Sequence, residues 1–132
     1  MKEWMSVELY VCKSCHAVIE KIVHPEIQVW CCKKPMEKIE ANSSDGAGEK
    51  HVPQTYYENG ILNVTVGEVM HPMAKEHHIA FILVKAGNLQ LRHDLKPEEK
   101  PEAVFSLGDY HGKAEVYEYC NLHGLWKKEI EV

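Results

Sequence analysis

Residues 114–124 read Ala114-Glu115-Val116-Tyr117-Glu118-Tyr119-Cys120-Asn121-Leu122-His123-Gly124. The first seven alternate with the period of a half-buried β-strand, and Trp126-Lys127-Lys128-Glu129-Ile130-Glu131-Val132 does the same beyond a glycine-bearing turn. Upstream, Gly60 to Gly67 puts Leu62, Val64 and Val66 on one face. A β-prone run follows from His78 to Val84, then Leu89-Gln90-Leu91-Arg92 after the turn at Ala86-Gly87-Asn88. Ala103-Val104-Phe105-Ser106-Leu107 comes next, bounded by Pro101 and Gly108. Short strands at turn-bounded intervals of roughly ten residues predict an antiparallel, immunoglobulin-like β-sandwich. No long amphipathic helix is visible, so the expected class is all-β.

The chain has 132 residues, of which 45% are hydrophobic and 27% charged, as in a soluble globular protein. A net charge of −5 argues against a nucleic-acid partner. No apolar run approaches the roughly 18 residues of a membrane span. Met1-Lys2-Glu3-Trp4-Met5 carries no apolar signal-peptide core, so a cytoplasmic rather than an exported protein is expected. Against only 2 Phe stand 9 His and 5 Cys, a surplus that needs a reason.

Four of the cysteines fall in the first quarter, as Cys12-Lys13-Ser14-Cys15 and Cys31-Cys32, a C-x2-C-x15-C-C pattern. A small, polar stretch, Glu40 to Gly48, separates them from the strands and reads as a linker over 41–48. The chain therefore divides into a module at 1–40 and a sandwich domain at 41–132. Some 40 residues are too few for an ordinary core and need a staple. A C-x2-C pair on a tight turn converges two thiolates on one cation, and a reducing compartment disfavours two disulfides. The adjacent pair can reach the same ion only if the backbone between Cys31 and Cys32 bends off strand geometry, because successive strand side chains point oppositely. A closed tetrathiolate suits zinc or iron equally well.

The second constellation is Glu49-Lys50-His51, His71-Pro72-Met73, Glu76-His77-His78 and Cys120-Asn121-Leu122-His123. Each group lies at or beside the end of an expected strand, where loops of a sandwich can converge on one ion. Cys120 and His123, at i and i+3 across a turn, are well spaced to share a metal. Alternation alone does not choose between His77 and His78. His16, His24, His78, His93 and His111 read as surface residues or as neighbours of the ligands. Trp4, Trp30 and Trp126 read as core or interface aromatics.

Together these residues carry a resemblance covering nearly the whole chain. The tetracysteine segment resembles a desulforedoxin domain, and E-K-H-V-P, H-P-M-x3-H and C-N-x-H-G resemble the centre of superoxide reductases. The order and the linker are those of the desulfoferrodoxin family, the two-iron form of superoxide reductase. The resemblance implies that His51, His71, His77 and His123 give four equatorial nitrogens to one iron, with Cys120 as axial thiolate. The H-P-M-x3-H spacing selects His77. It also implies a second iron on Cys12, Cys15, Cys31 and Cys32, with zinc able to replace it in recombinant protein. Glu49 and Lys50 match the pair beside the open coordination position. Two departures stand out: His16 follows the second cysteine, and Lys33-Lys34 follows the second pair, where the family commonly has Gly.

Four neutral imidazoles and one thiolate around Fe²⁺ leave a net charge of +1 and one open octahedral position, which suits a small anion. The implied activity is one-electron reduction of superoxide to hydrogen peroxide without release of oxygen. The implied setting is the cytoplasm of an anaerobe, with rubredoxin or a similar small iron protein as donor and a homodimer formed through the small domain. Two competing readings are an electron carrier using only the tetracysteine iron and a zinc-stapled binding module. Neither needs a mixed His/Cys site with a vacancy.

Overall fold

The computed structural model describes residues 7–42 and 51–132. The chain separates into two compact units, Met1–Glu40 and Ala41–Val132. All twelve elements among the described residues are β-strands.

In the first unit, β1 (Leu9–Val11) is the centre of a three-stranded antiparallel sheet between β2 (Val18–Glu20) and β5 (Glu37–Lys38), and β3 (Trp30–Cys31) pairs with β4 (Lys34–Pro35). Its buried apolar residues are Leu9, Cys12 and Met36 among those described. Glu8 is also buried; it accepts a 2.8 Å hydrogen bond from the Tyr10 hydroxyl and lies 3.4 Å from Nδ1 of His24. The His24 side chain is only 3% exposed, so this histidine is not on the surface as its sequence context suggested; it is packed beside a buried carboxylate.

The second unit is the sandwich. One sheet runs β10 (Glu102–Ser106), β7 (Ile61–Val66), β6 (Pro53–Glu58). The other runs β12 (Gly124–Glu131), β11 (Lys113–Cys120), β8 (Ile79–Ala86), β9 (Leu89–Asp94), every pairing antiparallel. Leu62, Val64 and Val66 face inward with Ala103 and Phe105, and meet Ile79, Ile82, Val84, Ala114 and Val116 from the opposite sheet. Inward alternation on both sheets is what makes one core of two amphipathic faces.

The strand β6 has no counterpart in the sequence reading. It opens on Pro53, which cannot donate to a ladder and is tolerated at the first residue of an edge strand, and much of it is only half-buried. Its hairpin partner β7 follows Asn59 (φ 50°) and Gly60 (φ 81°), the left-handed pair that a two-residue turn needs. A Cβ on Gly60 would stand 2.9 Å from the carbonyl oxygen of Gly108, so this glycine is also required by close approach.

Register brings the ligand-bearing loops to one end of each sheet. Pro53 pairs with Val66, so the start of β6 and the end of β7 coincide. Cys120 pairs with Gly124 and with Ile79, so the end of β11 meets the starts of β12 and β8. The β11–β8 ladder slips between Tyr119 and Cys120, a bulge of the kind that re-aims side chains beside functional sites.

Candidate metal centres

Cys12 follows β1, and a turn closed by the His16 N–H on the Cys12 carbonyl (2.8 Å) returns Cys15 beside it. The Cys15 N–H points at the Cys12 sulfur, 3.4 Å away. Cys31 ends β3, and Cys32 (φ 54°) and Lys33 (φ 61°) turn the chain through the left-handed region. That is the departure from strand geometry that adjacent thiolates require. The sulfurs of Cys15 and Cys31 are 3.6 Å apart, those of Cys31 and Cys32 3.9 Å, and all four ligand atoms lie within 4.8 Å of one another. A tetrahedron of metal–sulfur bonds of about 2.3 Å has edges of about 3.8 Å, so the cluster fits a metal. The thiol chemistry agrees. The N–H of Cys15 helps hold Cys12 down to about 6, while the neighbouring Cys15 and Cys12 thiols and burial push Cys31 up to about 12. Four thiolates this close need a cation to ionise together.

At the end of the sandwich four imidazoles form a square. Ring centroids along its sides are 4.6 Å (His51–His71), 4.7 Å (His71–His77), 5.0 Å (His77–His123) and 4.8 Å (His123–His51), each pair near edge-to-face. The His51–His77 diagonal is 6.4 Å. Nε2 of His51 lies 3.0 Å from Nε2 of His71 and 3.2 Å from Nδ1 of His123. Adjacent nitrogens around an ion at about 2.1 Å would be about 3.0 Å apart. The Cys120 sulfur lies 3.9 Å from Nδ1 of His123, and the ligand atoms of His51, His71, His77 and Cys120 fall within 4.8 Å of one another. His78 instead places Nδ1 3.2 Å from the Ala74 carbonyl.

The protonation states suit a metal. Burial above all, and then the other imidazoles, lowers His71 to about 4, against the opposing pull of the Pro72 carbonyl. Nδ1 of His71 stands 2.7 Å from that carbonyl, which can only accept, so the proton is on Nδ1 and the Nε2 lone pair faces the square. Burial pushes the Cys120 thiol up, opposed by the N–H groups of His123 and Leu122. The His123 N–H is 3.4 Å from the sulfur. Such a thiol loses its proton when a cation replaces it. Glu49 and Lys50, expected beside the open position, lie outside the described residues, as does most of the linker.

One neighbour of this centre was legible only as an aromatic. Trp126 stacks on His51, and its Nε1–H donates to the His123 carbonyl at 3.2 Å. Glu118, two residues before Cys120, is fully buried on the core face.

An all-β chain with a tetrathiolate and a histidine–cysteine donor set is a non-haem iron oxidoreductase. The desulfoferrodoxin family model matches residues 43–129, and the chain belongs to that family. It is 42% identical over 123 residues to a desulfoferrodoxin of Syntrophotalea carbinolica, covering 93% of this chain and 96% of that one. It is 37% identical over 114 residues to a superoxide reductase of Pyrococcus horikoshii, covering 74% of this chain and 99% of the other. The crystal structure of a superoxide reductase from Treponema pallidum superposes with a TM-score of 0.75 at 28% identity, over 93% of this chain and 98% of that one.

Proposed function

We propose that the chain is a superoxide reductase, reducing superoxide to hydrogen peroxide at a mononuclear iron held by His51, His71, His77, His123 and Cys120. The observation that carries this reading is the square of four imidazoles with the buried Cys120 sulfur within 4.8 Å of the ligand atoms of His51, His71 and His77. Iron bound there supplies the single electron, and superoxide with one electron and two protons becomes hydrogen peroxide. The residues set the terms. Neutral imidazoles and one thiolate would leave a divalent iron held there with a net positive charge, which would draw an anion. Lys50 would add attraction for the incoming anion, and Glu49 would offer a carboxylate to a bound iron. Burial of His51 and His71 and the stacked Trp126 fix the rings, so the site does not rearrange as charge changes.

Cys12, Cys15, Cys31 and Cys32 hold a second iron that takes no substrate, because four thiolates leave no vacancy and a negative net charge. The division into an iron-binding module at 1–40 and a reductase domain at 41–132 follows from these two roles. The donor is rubredoxin or a similar small iron protein in the cytoplasm of an anaerobe; among the described residues no helix is long and apolar enough to cross a membrane. A homodimer through the small unit is supported by Ile22, Val23, Ile27 and Trp30, all largely exposed there. A carrier using only the tetracysteine iron is not favoured, since it would have no use for the second donor set.

The test is metal analysis followed by a superoxide pulse on reduced protein. Two irons per chain and one peroxide per superoxide, with no oxygen released, are expected. Half that peroxide yield with oxygen released would mean dismutation and end the reductase reading.

A further inference from the structure

Neighbouring groups brace the imidazole square at several points. His71 is tied through Nδ1 to Pro72, His51 lies on Trp126, and the His123 backbone is bonded to the Cys120 sulfur and to Trp126. His77 stands on a tight loop ahead of β8. Reciprocal bonds between Ala74 and His77 (2.9 and 3.1 Å) shape that loop internally. They do not by themselves place it against β11. The sheet ladder does not do so regularly either, because its register slips where the loop joins, between Tyr119 and Cys120.

The residue after Cys120 spans the gap. The Asn121 side-chain oxygen accepts the His78 N–H at 2.8 Å, and its side-chain nitrogen donates to the Glu76 carbonyl at 3.0 Å. Its backbone N–H donates to the His78 carbonyl at 3.1 Å. Three hydrogen bonds from one residue therefore straddle His77, one side-chain bond on each flank. We infer that Asn121 is a positioning residue that fixes His77 against Cys120, and so sets the geometry between an imidazole ligand and the thiolate of the same metal. This rests on the iron reading above.

The chemistry selects a carboxamide. Residues 76 and 78 offer a carbonyl and an N–H on the same side of the loop, as an open strand edge does. Only an amide presents a donor and an acceptor together with the spacing of a peptide group. Aspartate keeps the acceptor but turns an oxygen toward the Glu76 carbonyl, and alanine keeps neither. The backbone bond survives substitution by alanine or aspartate, so loss of the side chain loosens one corner of the square rather than unfolding the loop. Partners that orient metal ligands are commonly worth 10- to 100-fold in metal affinity.

The experiment uses the full-length, iron-loaded protein with Asn121→Ala and Asn121→Asp. It reads the thiolate-to-iron charge-transfer band of the oxidised His/Cys centre, the rate of iron release from that centre to a chelator, and the thermal midpoint. Asn121→Ala is expected to shift the band and speed release about tenfold. Asn121→Asp is expected to fall between Ala and wild type, and the midpoint of the sandwich to move little. A merely structural asparagine would move the midpoint and leave the band in place. A wild-type band and release rate in Asn121→Ala overturn the inference alone. Absence of any such band from the wild-type protein overturns the iron reading, and this inference with it.

Discussion

The indole of Trp126 lies flat on the imidazole of His51, with ring centroids 4.8 Å apart and planes 16° from parallel. The same indole donates Nε1–H to the carbonyl of His123 at 3.2 Å. One core side chain therefore braces two adjacent corners of the imidazole square, one by its face and one by its edge. Trp126→Phe keeps an aromatic face and loses a hydrogen bond worth about 1 kcal/mol. Trp126→Leu loses the stack as well, and with the lost volume is expected to cost about 3 kcal/mol or more. Urea unfolding of the iron-loaded protein, followed by the charge-transfer band, measures both. Equal losses in the two variants would show that stacking on His51 contributes nothing.

Glu118 is fully buried, and neither carboxylate oxygen has a hydrogen-bond partner among the described residues. It lies in register between Ile82 and Trp126. Burial pushes its carboxyl up to about 9, so at neutral pH it is a neutral acid surrounded by apolar neighbours. A buried polar group without partners costs about 1–3 kcal/mol. Glu118→Met, which removes the polar atoms at similar volume, should stabilise the sandwich by about that amount. Glu118→Gln, which leaves an unpartnered amide, should not. Calorimetry of the two variants decides it, and a lower midpoint for Glu118→Met would show that the carboxyl has a stabilising role.

What could be read from sequence follows what each feature depends on. The Cys12, Cys15, Cys31, Cys32 cluster was legible because ligand spacing along the chain is itself the chemical constraint. The bend at Cys32 follows from that constraint alone. The strands of the core were legible wherever alternation is strong, as at Leu62, Val64 and Val66. β6 was not, because an edge strand that opens on Pro53 and is half-exposed has little hydrophobic pattern; the Asn59-Gly60 turn was its available signal. The choice of His77 over His78 needed the motif spacing, since both sit beside the same strand. Trp126, Glu118 and Asn121 were illegible as neighbours of the site for a common reason. Their contacts depend on cross-strand register and on a one-residue slip at Tyr119–Cys120, neither of which leaves a local trace in the chain.

His16 and Lys33 hold φ of 68° and 61°, in the left-handed region that glycine enters freely and other residues enter at about 1–2 kcal/mol. Both flank the tetrathiolate, and both side chains are exposed. His16→Gly and Lys33→Gly should each stabilise the metal-bound small unit by about 0.5–1 kcal/mol, the rest being offset by glycine's greater freedom when unfolded. Slower metal release from the tetrathiolate to a chelator is the readout. Faster release from both variants would mean that the turn is not strained.

Lys50 tests the attraction of the substrate. If its ammonium steers an anion to the open position, Lys50→Ala should slow the second-order reaction with superoxide severalfold at low salt. It should also flatten the dependence of that rate on ionic strength, since the Debye length shrinks to about 8 Å at physiological salt. Stopped-flow or pulse-radiolysis rates across a salt series measure both effects. A wild-type rate at low salt would remove Lys50 from the approach path.

The small unit should depend on its metal in a way the sandwich does not depend on the tetrathiolate. Leu9, Cys12 and Met36 are its buried apolar residues among those described, and one of the three is itself a ligand. Its longest strands have three residues, so few backbone bonds hold it when the ion is gone. Without a cation the cluster also resists ionisation, with Cys31 pushed up to about 12 by its neighbours. Binding free energy at such a site is folding free energy. Cys15→Ser combined with Cys32→Ser removes this centre and leaves the His/Cys ligands untouched. Hydrogen exchange should then show the amides of Tyr10 and Val11, paired with Ile19 and Val18 in the native sheet, losing protection. Val64, Val84 and Val116, in the core of the sandwich, should keep theirs. Protection retained at Tyr10 and Val11 in the double variant would show that the small unit folds without its staple.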